Sequence, residues 1–280
     1  MADAGYCWAR QHEGILGSTM GSRAPKALFR RLILAVCAGA WLVATAGVGS
    51  VSAETKAKAS QRVRVAVSSV GADAIERTRQ RLAFAYSDLG LTLGAPVYFR
   101  LIRDQDRLEV WVKSPSGTYS RLRNFKICSK DGPLGPRQSA STGQPEGFYT
   151  LTASQMRPQG VGYLGINLNW PNAYDRARGW RGAPSLIQAG CASGRHYGLT
   201  DQDMEEVYTI AYSALISGQT SIPFHIFPFQ MTPFRMLQVG QGPKASFWRE
   251  LEPAWRAFER TKTPPQIKVQ GRRYRVSAGK

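Results

Sequence analysis

From Val97 the chain keeps a period of two. Val97, Phe99 and Leu101 alternate with Tyr98, Arg100 and Ile102, and then Leu108, Val110 and Val112 alternate with Glu109, Trp111 and Lys113. Successive side chains of a strand point to opposite faces, so this pattern commits the region to β structure. Asp104-Gln105-Asp106 supplies a turn between the two runs, and Pro115-Ser116-Gly117 another before a third run, Tyr119 to Cys128. These residue types bond locally to the backbone or set turn dihedrals, which predicts hairpin-connected antiparallel strands. Further short strand candidates lie at Phe148 to Thr152, Gly165 to Leu168, Ser185 to Gln188 and Ile222 to Phe227.

Helical periods interrupt the strands. Ala74 to Leu89 sets Ile75, Leu82, Tyr86 and Leu89 on one face, with Asp73 as candidate N-cap and Gly90 past the end. Asp201 to Ser217 carries Met204, Val207, Tyr208, Ala211, Ala214 and Leu215, opened by a Thr200/Asp203 capping pattern and closed by Gly218. Phe247 to Glu259 carries Phe247, Trp248, Leu251, Trp255 and Phe258, a stripe that reads as core packing, with Pro253 as a candidate kink.

A chain of 280 residues can bury one substantial core, and no internal repeat is present. Ahead of it, Arg23, Lys26, Arg30 and Arg31 precede an apolar run from Leu32 to about Val48 and small residues ending Val51-Ser52-Ala53. This is the layout of a secretory signal peptide, and a retained signal anchor is the alternative. Met20 is an alternative start to Met1. The expected division is an N-terminal extension and signal over 1–53, a flexible polar leader over 54–72 and one domain over 73–280. The net charge of +18 falls to +15 if cleavage follows Ala53. Such a balance favours anionic partners, and for an exported protein these are envelope polymers rather than nucleic acid; a membrane enters if the signal is retained as an anchor. A solvated basic surface with no dedicated partner is the plainer reading.

Several segments together resemble the L,D-transpeptidase catalytic domain of YkuD type, in its YafK-like branch. They are Gly94-Ala95-Pro96-Val97-Tyr98, Ile127-Cys128, Gly132-Pro133-Leu134-Gly135-Pro136-Arg137, Gln144 to Thr152, Trp170-Pro171-Asn172-Ala173-Tyr174-Asp175, Leu186 to Asp201 and His225 to Thr232. The resemblance implies an exported peptidoglycan protein in the periplasm or cell envelope. It also implies a mainly β (α+β) fold of two packed antiparallel sheets with peripheral helices and an active-site turn at the lip of a groove. Its partners would be peptidoglycan stem peptides or other anionic envelope polymers, or a cell-wall enzyme. No cofactor is implied.

In that branch the turn reads roughly I-H-G-G-C-x-S-x-G-C-x-x-M-T-D, and its last Cys attacks a diaminopimelate carbonyl while the His takes the thiol proton. Aligned without a gap, Gln188 falls on the His, Ala189 on the following Gly, Arg195 on the last Gly and His196 on the nucleophile. Gln188 has no group titrating near neutrality, and an acyl-imidazole at His196 would be hydrolytically labile. The resemblance therefore points to a preserved groove with its thiol chemistry removed. An active transpeptidase or hydrolase with a repurposed nucleophile is the alternative: Cys191 beside His196, or Ser193 with His196 as base, although Ser193 reads more simply as a turn residue.

Cys128 and Cys191 match the branch's non-catalytic cysteines, which implies a structural disulfide between them. Arg181, Arg195, Asn172 and Tyr174 are the candidate substrate contacts, Asn172 and Tyr174 lying in a matching segment and the arginines suiting stem-peptide carboxylates although Arg195 replaces a family Gly. His225 reads as a structural histidine. No cluster of residues has metal-ligand spacing, and no Gly-rich phosphate loop is present.

Overall fold

In the computed structural model, which describes residues 63–139, 143–159, 163–192, 194 and 196–279, the period-two runs form β1 (Val97–Ile102), β2 (Arg107–Lys113) and β3 (Tyr119–Lys126). With β4 (Gly147–Leu151) and β9 (Ile222–Phe227) they make a five-stranded sheet ordered β3-β2-β1-β9-β4. A second sheet is ordered β5-β6-β7-β8, from β5 (Met156–Arg157), β6 (Gly165–Asn167), β7 (Leu186–Ala189) and β8 (Tyr197–Leu199). The expected two-sheet α+β architecture is present, with one difference in detail. The pairs β1–β9 and β7–β8 run parallel, so each sheet is mixed rather than wholly antiparallel. For β1–β9 the reason is that β9 enters the sheet centre after α3 (Asp201–Ile216), with a helical crossover of the kind parallel neighbours need.

Every residue of β1 is buried, because both faces of the large sheet are covered. Val97, Phe99 and Leu101 join a first core shared with the inner face of the second sheet, with α1 (Ser69–Ser87) and with α3. The alternate residues meet α5 (Ala245–Thr261), which brings Leu251, Ala254 and Trp255 to a second core with Ile102, Phe148 and Phe227. Arg100, on that side, is buried yet paired: Nε lies 2.7 Å from Glu109 Oε2, Nη1 2.6 Å from Glu259 Oε1, and its guanidinium stacks 4.3 Å over Trp255. A buried cation is tolerable only with such partners.

The first helix begins at Ser69, inside the expected 54–72 leader, and its cap is Ser68 rather than Asp73. Ser68 Oγ accepts from Gly71 N at 3.1 Å and donates to Pro158 O at 2.8 Å. Packing of α1 on α3 is fixed by a Thr78–Thr209 hydroxyl bond of 2.7 Å and by buried Glu206, which Arg81 and Arg123 reach at 2.7 and 2.6 Å. Pro253 does not divide α5, whose helix is continuous across it. Six helices and strands carry no forecast: β5, β8, α2 (Ala173–Ala177), α4 (Pro233–Gln238) and a C-terminal hairpin of β10 (Gln266–Gln270) and β11 (Arg273–Ser277). The signal segment of 1–53 and leader residues 54–62 lie outside the described residues.

Candidate functional site

The turn from Gly190 to His196 joins two parallel neighbours, β7 and β8, and leads into α3. Three constraints set its ends. Gly190 N–H donates to Leu199 O at 2.9 Å, and Gly190 sits at φ +105, a conformation glycine adopts without strain. Cys128 N–H donates to Gly198 O at 2.9 Å and Gly198 N–H to Ser129 O at 2.8 Å, which ties the chain after β3 alongside β8. A Cβ at Gly198 would lie 2.4 Å from Gly190 O and 2.7 Å from Ser129 Cβ, so only glycine fits there. Cys128 and Cys191 are bonded, with an S–S length of 2.02 Å, which holds the turn covalently to the same segment. Beyond β8, Thr200 Oγ1 accepts from Asp203 N at 3.2 Å and caps α3, whose first turn carries Asp201 and Asp203.

Gln188 stands in β7 with Gly165 on one side and Gly198 on the other, in register with both. It is buried, and its Cβ would approach a Cβ at position 165 to 3.3 Å. A larger residue at 165 would therefore crowd Gln188. His196, half-buried just before β8, accepts the Leu186 backbone N–H at Nδ1 over 3.3 Å. In this contact Nδ1 is the acceptor of a backbone N–H. Ser193 and Arg195 lie outside the described residues.

The loop that meets this turn is built on a buried ion pair. Arg103 Nη1 lies 2.8 Å from Glu146 Oε1, and both side chains are fully buried. Arg103 also donates to the carbonyls of Pro133 and Asp131 at 3.1 Å, and Glu146 accepts from Gly135 N at 2.7 Å and Trp248 Nε1 at 2.9 Å. Burial pushes the Glu146 carboxyl above its usual range, against the pull of Arg103 and the two N–H donors. This network shapes the loop that runs from Asp131 back to β4 and meets the turn where Gln144 Nε2 donates to Gly194 O at 3.3 Å.

The expected groove residues separate. Arg181 is exposed, its backbone N–H bonded to Gln138 O at 3.2 Å. Asn172 caps α2, accepting from Asp175 N at 3.0 Å and donating to Phe148 O at 2.8 Å. Tyr174 is fully buried, stacked 3.8 Å from the Tyr274 ring, its hydroxyl donating to Glu250 at 3.2 Å. The polar atoms of Asn172 and Tyr174 are thus engaged inside the protein. His225 is buried against Tyr98, 3.1 Å from its hydroxyl through Nδ1, and burial lowers its pKa to about 3.

Two further groups were not singled out beforehand. Arg137 is buried with its guanidinium 4.1 Å over Trp170, donating to Ser139 O and Ala183 O at 3.2 Å. Asp175 is buried, accepts from Asn172 N at 2.9 Å and Tyr149 Oη at 3.3 Å, and burial raises its pKa to about 6. An arginine in a Pro/Gly-rich stretch, and a carboxylate three residues after an N-cap Asn, were the available signals. Among the described residues no group of His, Cys, Asp and Glu is placed to hold a metal ion.

No profile of a known protein family matches the chain. It is 37% identical over 186 residues to the Escherichia coli K12 protein named "Putative L,D-transpeptidase YafK", a span covering 66% of this chain and 75% of that one. The chain belongs to the L,D-transpeptidase family. The same identity and coverage hold for the YafK protein of Escherichia coli O157:H7. Among solved structures, the chain aligns with the helical cell shape determining protein Pgp2 of Campylobacter jejuni at 13% identity and a TM-score of 0.37, covering 68% of this chain and 80% of that one. Bd1075 of Bdellovibrio bacteriovorus aligns at 16% identity and a TM-score of 0.33, over 48% of this chain and 49% of that one.

Proposed function

We propose that this chain is an exported, peptidoglycan-directed L,D-transpeptidase homologue whose groove binds stem peptides without carrying out thiol acyl transfer. One observation carries the reading: where the family's nucleophile is expected stands His196, whose Nδ1 already accepts the Leu186 N–H, while Cys191 is bonded to Cys128. A disulfide sulfur is not a thiolate, and the thiolate is the attacking species. Gln188 accepts and donates hydrogen bonds but cannot serve as the general base. What supports binding is the rest of the turn, with its glycines and the α3 cap, together with exposed Arg181 and the chain's surplus of cations facing carboxylate-rich peptides.

Retention of the full chain on purified peptidoglycan at low salt tests the binding half; absence of retention sinks it. Incubation with defined muropeptides, read by mass spectrometry, tests the chemical half. No product is expected from the wild type, and product formation abolished by His196→Ala would overturn the reading in favour of a repurposed nucleophile. The combined Gln188→His, Arg195→Gly, His196→Cys variant is expected to release product where the wild type does not. No helix among the described residues is long and apolar enough to cross a membrane.

A further inference from the structure

The C-terminal hairpin carries a charge arrangement that its own fold does not require. In the ladder, Ile267 opposes Val276 and Val269 opposes Tyr274 on one face, where Tyr274 is buried in the second core with Ile267 and Val276 packed against it. On the other face Lys268 stands directly opposite Arg275, and Gln270 opposite Arg273; all four are exposed. Arg272 follows in the connecting turn, also exposed. Like charges directly opposite one another destabilise a strand pair.

Nothing within the described residues relieves this. None of Lys268, Arg272, Arg273 and Arg275 forms an ion pair there, and residues 264–279 contain no Asp or Glu. Arg275 has only the Gln270 amide oxygen, at 3.0 Å. Glu250, the carboxylate that does meet the hairpin, accepts the Tyr274 backbone N–H and pairs with Arg178 at 2.7 Å.

We propose that this outer face docks the protein on an anionic phospholipid surface. Three of the four cations are arginines, whose planar fork matches phosphate oxygens and is weakly hydrated. The face is an exposed two-stranded ribbon of Gln, Lys, Arg and Ser with no aromatic side chain to stack on a base or sugar ring. An exposed array of point charges reads charge density, and an anionic leaflet supplies that without a shaped pocket. This assignment is independent of what the Gln188 turn binds.

The test compares two charge-matched variants of the full chain. One is Lys268→Gln with Arg273→Gln and Arg275→Gln. The other removes three exposed cations elsewhere, by Lys126→Gln, Arg157→Gln and Arg260→Gln. Co-sedimentation with phosphatidylglycerol-containing vesicles gives apparent affinity, with phosphatidylcholine vesicles as reference. A cation near an anionic leaflet contributes about five-fold, so the hairpin variant should bind on the order of 100-fold more weakly and the control variant only a few-fold. Equal losses in the two variants would overturn the proposal. So would a hairpin variant that keeps its vesicle affinity and loses retention on purified peptidoglycan, since the face would then serve the wall. The hairpin variant should melt no lower than wild type, because removing opposed like charges relieves the ladder; a clear drop would show that the cations serve the fold and end the idea.

Discussion

Removing the Cys128–Cys191 bond should cost this protein about 4 kcal/mol. The bond closes a loop of sequence separation 63. The chain-entropy relation, with a constant of about 2.1 and a logarithmic term of about 12 cal/mol/K at that length, gives roughly 4 kcal/mol at 25 °C. Without it, the turn remains attached through the Ser129–Gly198 pairing, so the native fold persists while its unfolded state gains freedom. The measurement is guanidinium denaturation of Cys128→Ala with Cys191→Ala, in a background where Cys7 and Cys37 are replaced by Ser. The slope against denaturant should rise as the midpoint falls, because an uncrosslinked unfolded chain exposes more surface. In that background, the denatured and unreduced parent should titrate no free thiol. A stability difference under about 1 kcal/mol with an unchanged slope, or two free thiols in the parent, refutes the reasoning.

Glu146→Gln should destabilise by about 3–5 kcal/mol in the same assay, since it strands the buried Arg103 guanidinium, whereas the paired replacement Arg103→Met with Glu146→Leu should cost less. Gly198→Ala should cost about 1–3 kcal/mol through the clash with Gly190 O and Ser129, measured by thermal midpoint. Asp175 and His225 should oppose one another in acid. The Asp175 pKa is raised to about 6, so its contribution is full below the unfolded carboxyl value and is lost as pH rises through 6, a change on the order of 3 kcal/mol. The His225 pKa is lowered to about 3, so its contribution is present above the unfolded imidazole value and is lost as pH falls toward 3. Asp175→Asn should therefore lose stability between pH 6 and pH 4 relative to wild type, and His225→Gln should gain it; parallel profiles for all three proteins would contradict both assignments.

The strand region was legible because alternation is a local signal, and β1 to β3 fall where the period and the turn residues place them. What alternation could not show is that the second face is also covered: Arg100 reads as a solvent residue until α5 and Glu259 are brought over it. The β8 strand was missed because three residues ending in a glycine-flanked turn carry no period, and its pairing depends on the distant Ser129. The C-terminal hairpin was missed for a related reason, since only Tyr274 of its ten ladder residues is buried and charge dominates its composition. At the site, residue identities located Gln188 and His196, but the bond from Leu186 N–H to His196 needed coordinates. Asn172 and Tyr174 show the converse: a motif segment does not say which of its side chains turn inward to hold the scaffold together.

The glycines on either side of Gln188 have a consequence for how this site can change over time. A Cβ at position 165 would stand 3.3 Å from Gln188 Cβ, so any residue larger than glycine at 165 would press directly on whatever occupies position 188. Position 196 is constrained differently, because its imidazole accepts the backbone N–H that opens β7. Exchange at position 188 thus depends on the neighbouring strand keeping its glycine, while exchange at position 196 leaves a backbone donor in need of another acceptor.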